Sequence, residues 1–105
     1  MIQNIFSIFD EKAKAYLPPI LLPHVGQMVR EFKDAINDAT TAFYRHPEDY
    51  TLFQLGTFDN ETGLHTIDKN PKPLHNGLTQ IDQKQRDLQN VKEQVGNVPP
   101  IQPST

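Results

Sequence analysis

Residues 45–67 read RHPEDYTLFQLGTFDNETGLHTI and contain the strongest local signal in the chain. The part from residue 50 to residue 58 is dense in aromatic, β-branched and leucine side chains, which favour a strand. A turn should follow at residues 59–63, because Asp59 can accept backbone hydrogen bonds and Gly63 takes a positive φ without steric cost. The stretch therefore predicts a β-hairpin.

The N-terminal segment predicts a second hairpin. Residues 2–9 are apolar on both faces of a strand, so we expect a strand that is buried on both sides. After a polar turn, residues 14–17 return beside it, until Pro18 and Pro19 remove two backbone donors. Residues 20–23 are then expected to be extended or to lie at a sheet edge.

From His24 the apolar period changes from that of a strand to that of a helix. Apolar side chains recur at helical spacing, at Val25, Met28, Val29, Phe32, Ala35 and Ile36. They predict an amphipathic helix that covers the sheet, with Met28 and Phe32 in the core. Where this helix ends stays open, because the apolar stripe could continue through Ala39 and Phe43 while the polar residues between them weaken helix propensity.

The order of these elements predicts an α+β fold. Two hairpins (ββαββ) form a small antiparallel sheet, and one amphipathic helix lies across it. This core domain covers residues 1–67, and residues 68–105 form a linker and a polar C-terminal tail that is flexible or partly helical. Residues 68–73 are assigned to the linker because Pro71 and Pro73 exclude regular structure.

The tail contains one helical candidate, residues 77–95. Its apolar residues are spaced like a weak coiled-coil seam, at Leu78, Ile81, Leu88, Val91 and Val95. A seam of two or three heptads is marginal, so a solvated helix and an oligomerising helix both remain open. Residues 98–105 are expected to be disordered unless a partner holds them.

The composition limits the protein to one small domain. With 105 residues, 36% of them hydrophobic and most of these before Ile67, the core is small, which favours a homo-oligomer and above all a dimer. The chain has no cysteine, so disulfides and thiolate metal sites are impossible. The longest apolar run is far shorter than the roughly 20 residues that span a bilayer, and the N-terminus lacks a basic signal start. We expect a soluble, cytoplasmic protein without membrane contact.

The charge is unevenly distributed along the chain. Residues 1–67 hold five Lys or Arg against nine Asp or Glu, a net charge of −4, whereas residues 68–105 hold five against four, a net charge of +1. Proteins that bind nucleic acid mainly by neutralising phosphates usually have a clearly basic face. Any nucleic-acid binding by this acidic core must therefore use a local patch.

The polar residues form no recognisable catalytic motif. The four histidines lack the ligand spacing of a structural zinc site. The loop at residues 46–49 contains an imidazole and two carboxylates, but one loop seldom builds an acid–base site alone, so a capping turn is the preferred interpretation. We expect no enzyme activity, no cofactor and no metal.

Strand parity in the hairpin at residues 50–58 gives the most specific functional indication. Tyr50 and Phe53 point to opposite faces of their strand, and a single helix covers only one face of a sheet. One of these rings is therefore exposed, which suits stacking on an unpaired DNA base or burial in a dimer. The candidate DNA-binding residues are the sheet aromatics and the basic residues near the sheet edges: Lys14, Tyr16, Arg30, Lys33, Arg45, Tyr50 and Phe53.

Several segments resemble the small nonstructural protein of gokushoviruses, which are Microviridae, tailless phages with single-stranded DNA genomes. The resemblance covers roughly residues 5–67, through FSIFD at 6–10, AYLPP at 15–19, REFKDA at 30–35 and HPEDYTLFQLGTFD at 46–59. The last block is the most specific. Ala39 stands where family members often have proline, and the tail from Asp68 is not covered.

This resemblance implies a role in the DNA phase of infection, in the host cytoplasm. The family is regarded as the counterpart of the DNA maturation protein of related microviruses, which helps to switch from duplex replication to the synthesis and packaging of single strands. It has no established enzymatic residues to carry over. Binding of single-stranded DNA by an oligomer is the expected mechanism. The alternative is an oligomeric adaptor that recruits phage replication or capsid proteins without contacting DNA.

Overall fold

The computed structural model describes residues 1–83 and residue 86. Five strands form one antiparallel sheet: β1 (Ile2–Asp10), β2 (Ala15–Tyr16), β3 (Ile20–Leu22), β4 (Tyr50–Asp59) and β5 (His65–Asn76). Between β3 and β4 lie the main helix α1 (Val25–Ile36), the short helix α2 (Ala42–Arg45) and a 3₁₀ turn (Pro47–Asp49), and a second 3₁₀ turn (Gly77–Gln80) follows β5. The strand order is β2-β1-β4-β5, with β3 also paired to β1. The predicted α+β class is confirmed.

Strand β1 is the centre of the sheet. One of its edges pairs with β4 from Ile2 to Asp10, and the other edge pairs first with β3 and then with β2. Pro18 and Pro19 separate β2 from β3, as expected from their missing donors. The interruption is held in place because the Ser7 hydroxyl donates to the Leu17 carbonyl oxygen at 2.6 Å, and the Leu17 amide donates to the Ile8 carbonyl oxygen at 2.8 Å.

The core lies between α1 and one face of the sheet. It consists of six side chains that are almost completely buried: Phe6, Ile8, Met28, Phe32, Ile36 and Leu52. Along β1 four consecutive residues, 5–8, are buried, so the predicted burial of both faces holds for this central part of the strand and not for its ends. A core of this size stabilises a domain only modestly, since burial of each large apolar side chain contributes about 1.5–3 kcal/mol.

Helix α1 ends at Ile36 and does not continue through Phe43. The Asn37 amide still donates to the Lys33 carbonyl oxygen at 3.1 Å, after which the chain turns. A separate helix, α2, then begins behind Thr41, whose hydroxyl oxygen caps it by accepting from the Tyr44 amide at 3.2 Å. Phe43 nevertheless packs against the core from α2, so its apolar character is explained without a longer helix.

The β4–β5 hairpin confirms the predicted turn chemistry. Gly63 has φ 77° and its amide donates to the Asp59 carbonyl oxygen at 2.7 Å. The Asp59 carboxylate accepts from the Glu61 amide at 2.9 Å. The pKa of the Asp59 carboxyl lies below its ordinary value, and the largest cause is this hydrogen bond from the Glu61 amide.

The prediction that residues 68–73 form a linker without regular structure is wrong, because β5 runs through them to Asn76. Prolines are tolerated here because β5 is an edge strand, whose outer backbone donors have no partner to lose. The pairing is also irregular: Gln54 faces Lys72 and Gly56 faces Ile67, so four residues of β5 bulge opposite one residue of β4. The sheet therefore does not end at Ile67.

The chain after β5 packs back against the end of α1. Ile81 contacts the core, and the buried Asn37 donates to the Gln80 carbonyl oxygen and accepts from the Asp82 amide, at 2.9 and 2.8 Å. The predicted helix at residues 77–95 is wrong at its start, where Gly77–Gln80 forms a 3₁₀ turn. Gln83 and Arg86 do have helical backbone. The seam positions from Leu88 onward and the end at residues 98–105 lie outside the described residues.

Across residues 1–83 and 86, no helix combines the length and the apolar character that crossing a membrane requires.

Candidate nucleic-acid interface

One face of the sheet is not covered by α1, and it is apolar. On β1, Phe6 and Ile8 point into the core, so the alternating positions Ile5, Ser7 and Phe9 point to the other side. Their partners on the neighbouring strands share that side, because directly opposed residues lie on the same face of a sheet. We call this surface the open face; its large side chains are Ile5, Phe9, Tyr16, Leu21, Phe53, Leu55, Phe58 and Ile67.

Three aromatic rings form a cluster at one end of the open face. The ring centroids of Phe9 and Tyr16 are 4.9 Å apart, those of Tyr16 and Phe53 are 5.5 Å apart, and those of Phe9 and Phe53 are 6.4 Å apart. All three pairs are edge-to-face, the arrangement that the ring quadrupoles favour. Tyr16 remains 44% exposed, so the cluster presents aromatic surface to a ligand.

The structure decides which of Tyr50 and Phe53 lies on the open face. Phe53 lies on the open face, whereas Tyr50 lies on the α1 side, with its ring 4.6 Å from that of Phe43. Burial raises the pKa of the Tyr50 hydroxyl, and the negative charges of Asp10 and Asp49 add to this effect. Tyr50 thus packs on the α1 side, so the two rings lie on opposite faces of the sheet, as strand parity predicts.

The four basic candidates do not converge on the aromatic cluster. Lys14 lies in the β1–β2 turn, two residues before Tyr16, with φ 55°, and forms an exposed ion pair with Glu11. Arg30 and Lys33 are exposed on α1, and Arg45 is exposed at the end of α2. The helical layer lies against the opposite side of the sheet. Of the seven candidates, the structure brings Tyr16 and Phe53 together, and Lys14 lies two residues before Tyr16.

A groove of about 310 Å³ lies beside the aromatic cluster on the open face. Ile5 and Leu55 belong to the central strands, Leu21 and Ile67 to the edges, and the remaining lining residues are Pro19, His65, Asp68 and Pro71. Ile67 is 62% exposed. Among these lining residues Asp68 is the acidic one and none is Lys or Arg, so the groove suits an apolar ligand group better than a phosphate.

Gly56 allows β5 to reach this groove. A Cβ atom at position 56 would lie 2.1 Å from the Thr66 carbonyl oxygen and 2.9 Å from Ile67 Cα. Both are backbone atoms, which cannot move aside as a side-chain end can. Glycine is therefore required for the pairing that places Ile67 on the open face.

Sequence reasoning missed several residues of the open face, among them Phe9, Leu21 and Ile67. The apolar residues on both faces of the segment 2–9 were the available signal for Phe9. Leu21 comes shortly after Pro18 and Pro19, and Ile67 comes before Pro71 and Pro73. Their contribution depends on strand pairing that no local pattern reveals.

The loop with an imidazole and two carboxylates was a weaker candidate. Ligand atoms of His46, Glu48 and Asp49 all lie within 4.8 Å of one another, and His46 Nδ1 is 3.9 Å from Glu48 Oε2. His46 and Glu48 are exposed, whereas acid–base catalysis and tight metal binding need groups converging on a pocket. Their backbone serves the fold instead, since the Glu48 carbonyl oxygen accepts from the Asn76 side chain at 3.2 Å.

Comparison with known proteins gives the chain a family. The sequence model of the Phage ORF5 protein family matches residues 3–80, a range that includes the whole sheet except its first residue, Ile2. Protein ORF5 of Chlamydia phage 1 is 32% identical over 62 residues, which cover 55% of this chain and 65% of that protein. The chain thus spans slightly less than two thirds of this relative's length. No solved structure matches. These matches support the resemblance to gokushovirus proteins, and the chain belongs to the Phage ORF5 protein family.

Proposed function

We propose that the protein binds single-stranded DNA as an oligomer, during single-strand synthesis or genome packaging in the host cytoplasm. The observation that carries this proposal is the cluster of Phe9, Tyr16 and Phe53 on the open face. Membership of a phage protein family supports the setting. The proposed activity is binding, with no catalytic step, cofactor or metal.

Stacking supplies the binding energy in this proposal. A base that stacks on an exposed aromatic ring contributes about 1–3 kcal/mol, and it does so for any sequence because every base has a π-face. Phosphate contacts contribute less, since Lys14 is the basic candidate nearest to Tyr16 in sequence and the whole chain has a net charge of −3. The affinity for each protomer is therefore modest, and an oligomer that offers several clusters to one strand raises it.

The test is fluorescence anisotropy with a labelled oligothymidine at low salt. Phe53→Leu should weaken binding by about 5- to 150-fold, the equivalent of one lost stacking contact. Phe43→Leu is the matched control, because Phe43 is also half-buried but packs on the α1 side. The proposal is refuted if the protein shows no binding that weakens as the salt concentration rises. It is also refuted if the two variants lose the same amount of affinity.

A second pair of variants tests which layer faces the DNA. Lys14→Gln should reduce the slope of log affinity against log salt by about 0.7, the value for one phosphate contact on a single strand. Lys33→Gln removes the same charge from α1, on the other layer, and should leave the slope unchanged. A larger effect of Lys33→Gln would place the DNA on the helices and not on the open face.

The groove on the open face favours a second candidate function, that of an oligomeric adaptor that recruits phage replication or capsid proteins without contacting DNA. Its lining by Ile5, Leu21, Leu55 and Ile67 suits apolar contact with another protein surface, including a second copy of the chain. Size exclusion with light scattering on nuclease-treated protein, with and without an oligonucleotide, separates the two functions. An adaptor keeps its oligomeric mass and does not take up the oligonucleotide.

A charge placed in the groove tests the oligomer itself. Ile67→Lys should shift the mass toward that of a monomer, because the lysine would be buried without a partner in the interface. Leu78→Lys is the control, since Leu78 is 56% exposed but lies in the 3₁₀ turn after β5 and not on the open face. Oligomer masses that are the same in both variants would exclude the groove as the interface.

A further inference from the structure

A second apolar groove lies on the other side of the sheet, along α1. Its volume is about 370 Å³. Met28, Phe32 and Ala35 form the wall on α1, Leu17, Pro18 and Ile20 form the opposite wall, and Ile8 lies between them. We call this the α1 groove. Because it is on the helical side, it is separate from the aromatic cluster and from the proposed DNA surface.

The described chain ends beside the C-terminus of α1. The Arg86 guanidinium donates to the Tyr44 carbonyl oxygen at 3.0 Å and to that of Ile36, and it lies 3.9 Å above the centre of the Tyr44 ring. Ile36 follows Ala35, and Tyr44 follows Phe43, which also lines the groove. The last described residue is thus held at the C-terminus of α1 by Ile36 and Tyr44, each of which directly follows a residue that lines the groove.

Residues 83 and 86 have helical backbone. The Arg86 amide donates to the Asp82 carbonyl oxygen at 3.1 Å, the i to i−4 bond of an α-helix. Asp82 is a favourable residue type at a helix N-cap, and Gln85 three positions later completes the pattern of a capping box. A helix that starts here has its direction set by the contact of Asp82 with Asn37 and by those of Arg86 with α1 and α2.

The sequence that follows matches the groove in length and pattern. Leu88, Val91 and Val95 are spaced by three and four residues, so they form one stripe on a helix. This stripe spans about 10 Å along a helix axis, as does the wall of α1 from Met28 to Ala35. Gly96 and the prolines after it disfavour a longer helix.

We propose that residues 87–95 continue this helix antiparallel to α1 and place Leu88, Val91 and Val95 in the α1 groove. Charge agrees with this direction. Among the described residues that line the groove, Glu31 is the charged one, and it lies near the middle of the wall on α1. Lys92 flanks the apolar stripe and follows Arg86 by about as many residues as separate Glu31 from Ile36, the residue that Arg86 contacts. The occupant of the α1 groove is therefore the C-terminal segment of the same chain.

The composition of the chain allows a direct test. There is no cysteine and there are two methionines, Met1 and Met28. A nitroxide on the single cysteine of Gln94→Cys in the full-length protein should therefore act on two ¹³C-methyl methionine signals. Met28 in the groove should lose more than half of its intensity. Met1, whose amino group contacts Asn60 at the β4–β5 turn, should keep its intensity. Equal intensities for the two methyl groups would overturn the proposal.

Matched variants fix the register. Val91→Asp should restore the Met28 signal, because it puts a carboxylate into the apolar groove. Asn90→Asp adds the same charge one position away from the stripe and should leave the Met28 signal broadened. Glu31→Lys and Lys92→Glu should each weaken the broadening and together restore it, and failure of this restoration would refute the antiparallel register.

A mixed sample distinguishes the same chain from a second copy. Spin-labelled protein without ¹³C is mixed with ¹³C-methyl protein that carries no spin label. Unchanged Met28 intensity in the mixture supports docking within one chain. Broadening of Met28 in the mixture would assign the groove to the segment of a second copy and would overturn the intramolecular proposal.

Discussion

Replacing Asn37 with alanine is expected to destabilise the fold strongly, because this side chain joins the end of α1 to the segment after β5. Its Nδ2 donates to the carbonyl oxygens of Lys33 and Gln80, both at 2.9 Å, and its Oδ1 accepts from the Asp82 amide at 2.8 Å. Only 9% of Asn37 is exposed, so water can replace these partners only in part.

The size of the effect follows from these three contacts. Each hydrogen bond contributes about 1 kcal/mol, and a partner left unsatisfied costs more, so Asn37→Ala should lower the free energy of unfolding by roughly 3 kcal/mol. For a folded unit of this length that corresponds to a fall in Tm of about 12 to 24 °C. Because marginal domains have only about 5–15 kcal/mol of stability, the loss is readily measured.

Thermal and urea unfolding followed by circular dichroism measure this loss. Asn70→Ala is the matched control, since Asn70 is exposed in β5, and it should change the stability by less than about 0.5 kcal/mol. Hydrogen exchange should also become faster at the Asp82 amide, which loses its acceptor. If Asn37→Ala costs no more than Asn70→Ala, the segment after β5 does not depend on Asn37 and the reasoning fails.

Three further outcomes are expected from the same structure. Gly56→Ala should cost about 3 kcal/mol or more, measured by urea unfolding, because its Cβ would lie 2.1 Å from the Thr66 carbonyl oxygen and separate β4 from β5. A chain truncated after Ile67 should show no cooperative melting transition, whereas one truncated after Arg86 should melt cooperatively. The lowered pKa of Asp59 stabilises the fold at pH values above its unfolded pKa, and this contribution disappears as the pH falls below about 4. Asp59→Asn should therefore flatten the dependence of the urea midpoint on pH in that range.

The parts of the fold that the sequence predicted well are those set by local chemistry. Asp59 and Gly63 define the turn through contacts within five residues, and the structure has the expected positive φ at Gly63. The apolar stripe of α1 likewise needs only one sheet to pack against, and Met28 and Phe32 are both buried. A local sequence pattern is enough to predict an element whose formation does not depend on which other segment it packs against.

The prolines of β5 show where local reasoning ends. The local pattern of Pro71 and Pro73 predicts the absence of a strand, yet both residues lie in β5. A proline is harmful in a strand only where a neighbour needs its missing donor. Whether such a neighbour exists depends on the strand order, and the strand order depends on pairings between distant parts of the chain.

The candidate site could be predicted only in part for a related reason. Parity separates Tyr50 from Phe53 but does not state which of them faces the helix. The answer comes from Leu52, which is fully buried in the core and shares the side of Tyr50. Phe9 and Tyr16 then meet Phe53 because β1 lies between β2 and β4, an arrangement that joins residues more than 35 positions apart in the sequence.

The two apolar surfaces share one strand, and this sets how strongly they can affect each other. Ile8 lies in the α1 groove, while the neighbouring Phe9 belongs to the aromatic cluster. Strand β1 is hydrogen-bonded on both edges and buried at residues 5–8, so it does not shift easily in response to a ligand on either side. Substitutions on the open face and in the C-terminal segment should therefore add in their effects on stability, as expected for sites without shared partners. An interaction energy above about 0.5 kcal/mol between Tyr16→Leu and Val91→Asp would show that β1 transmits a change from one surface to the other.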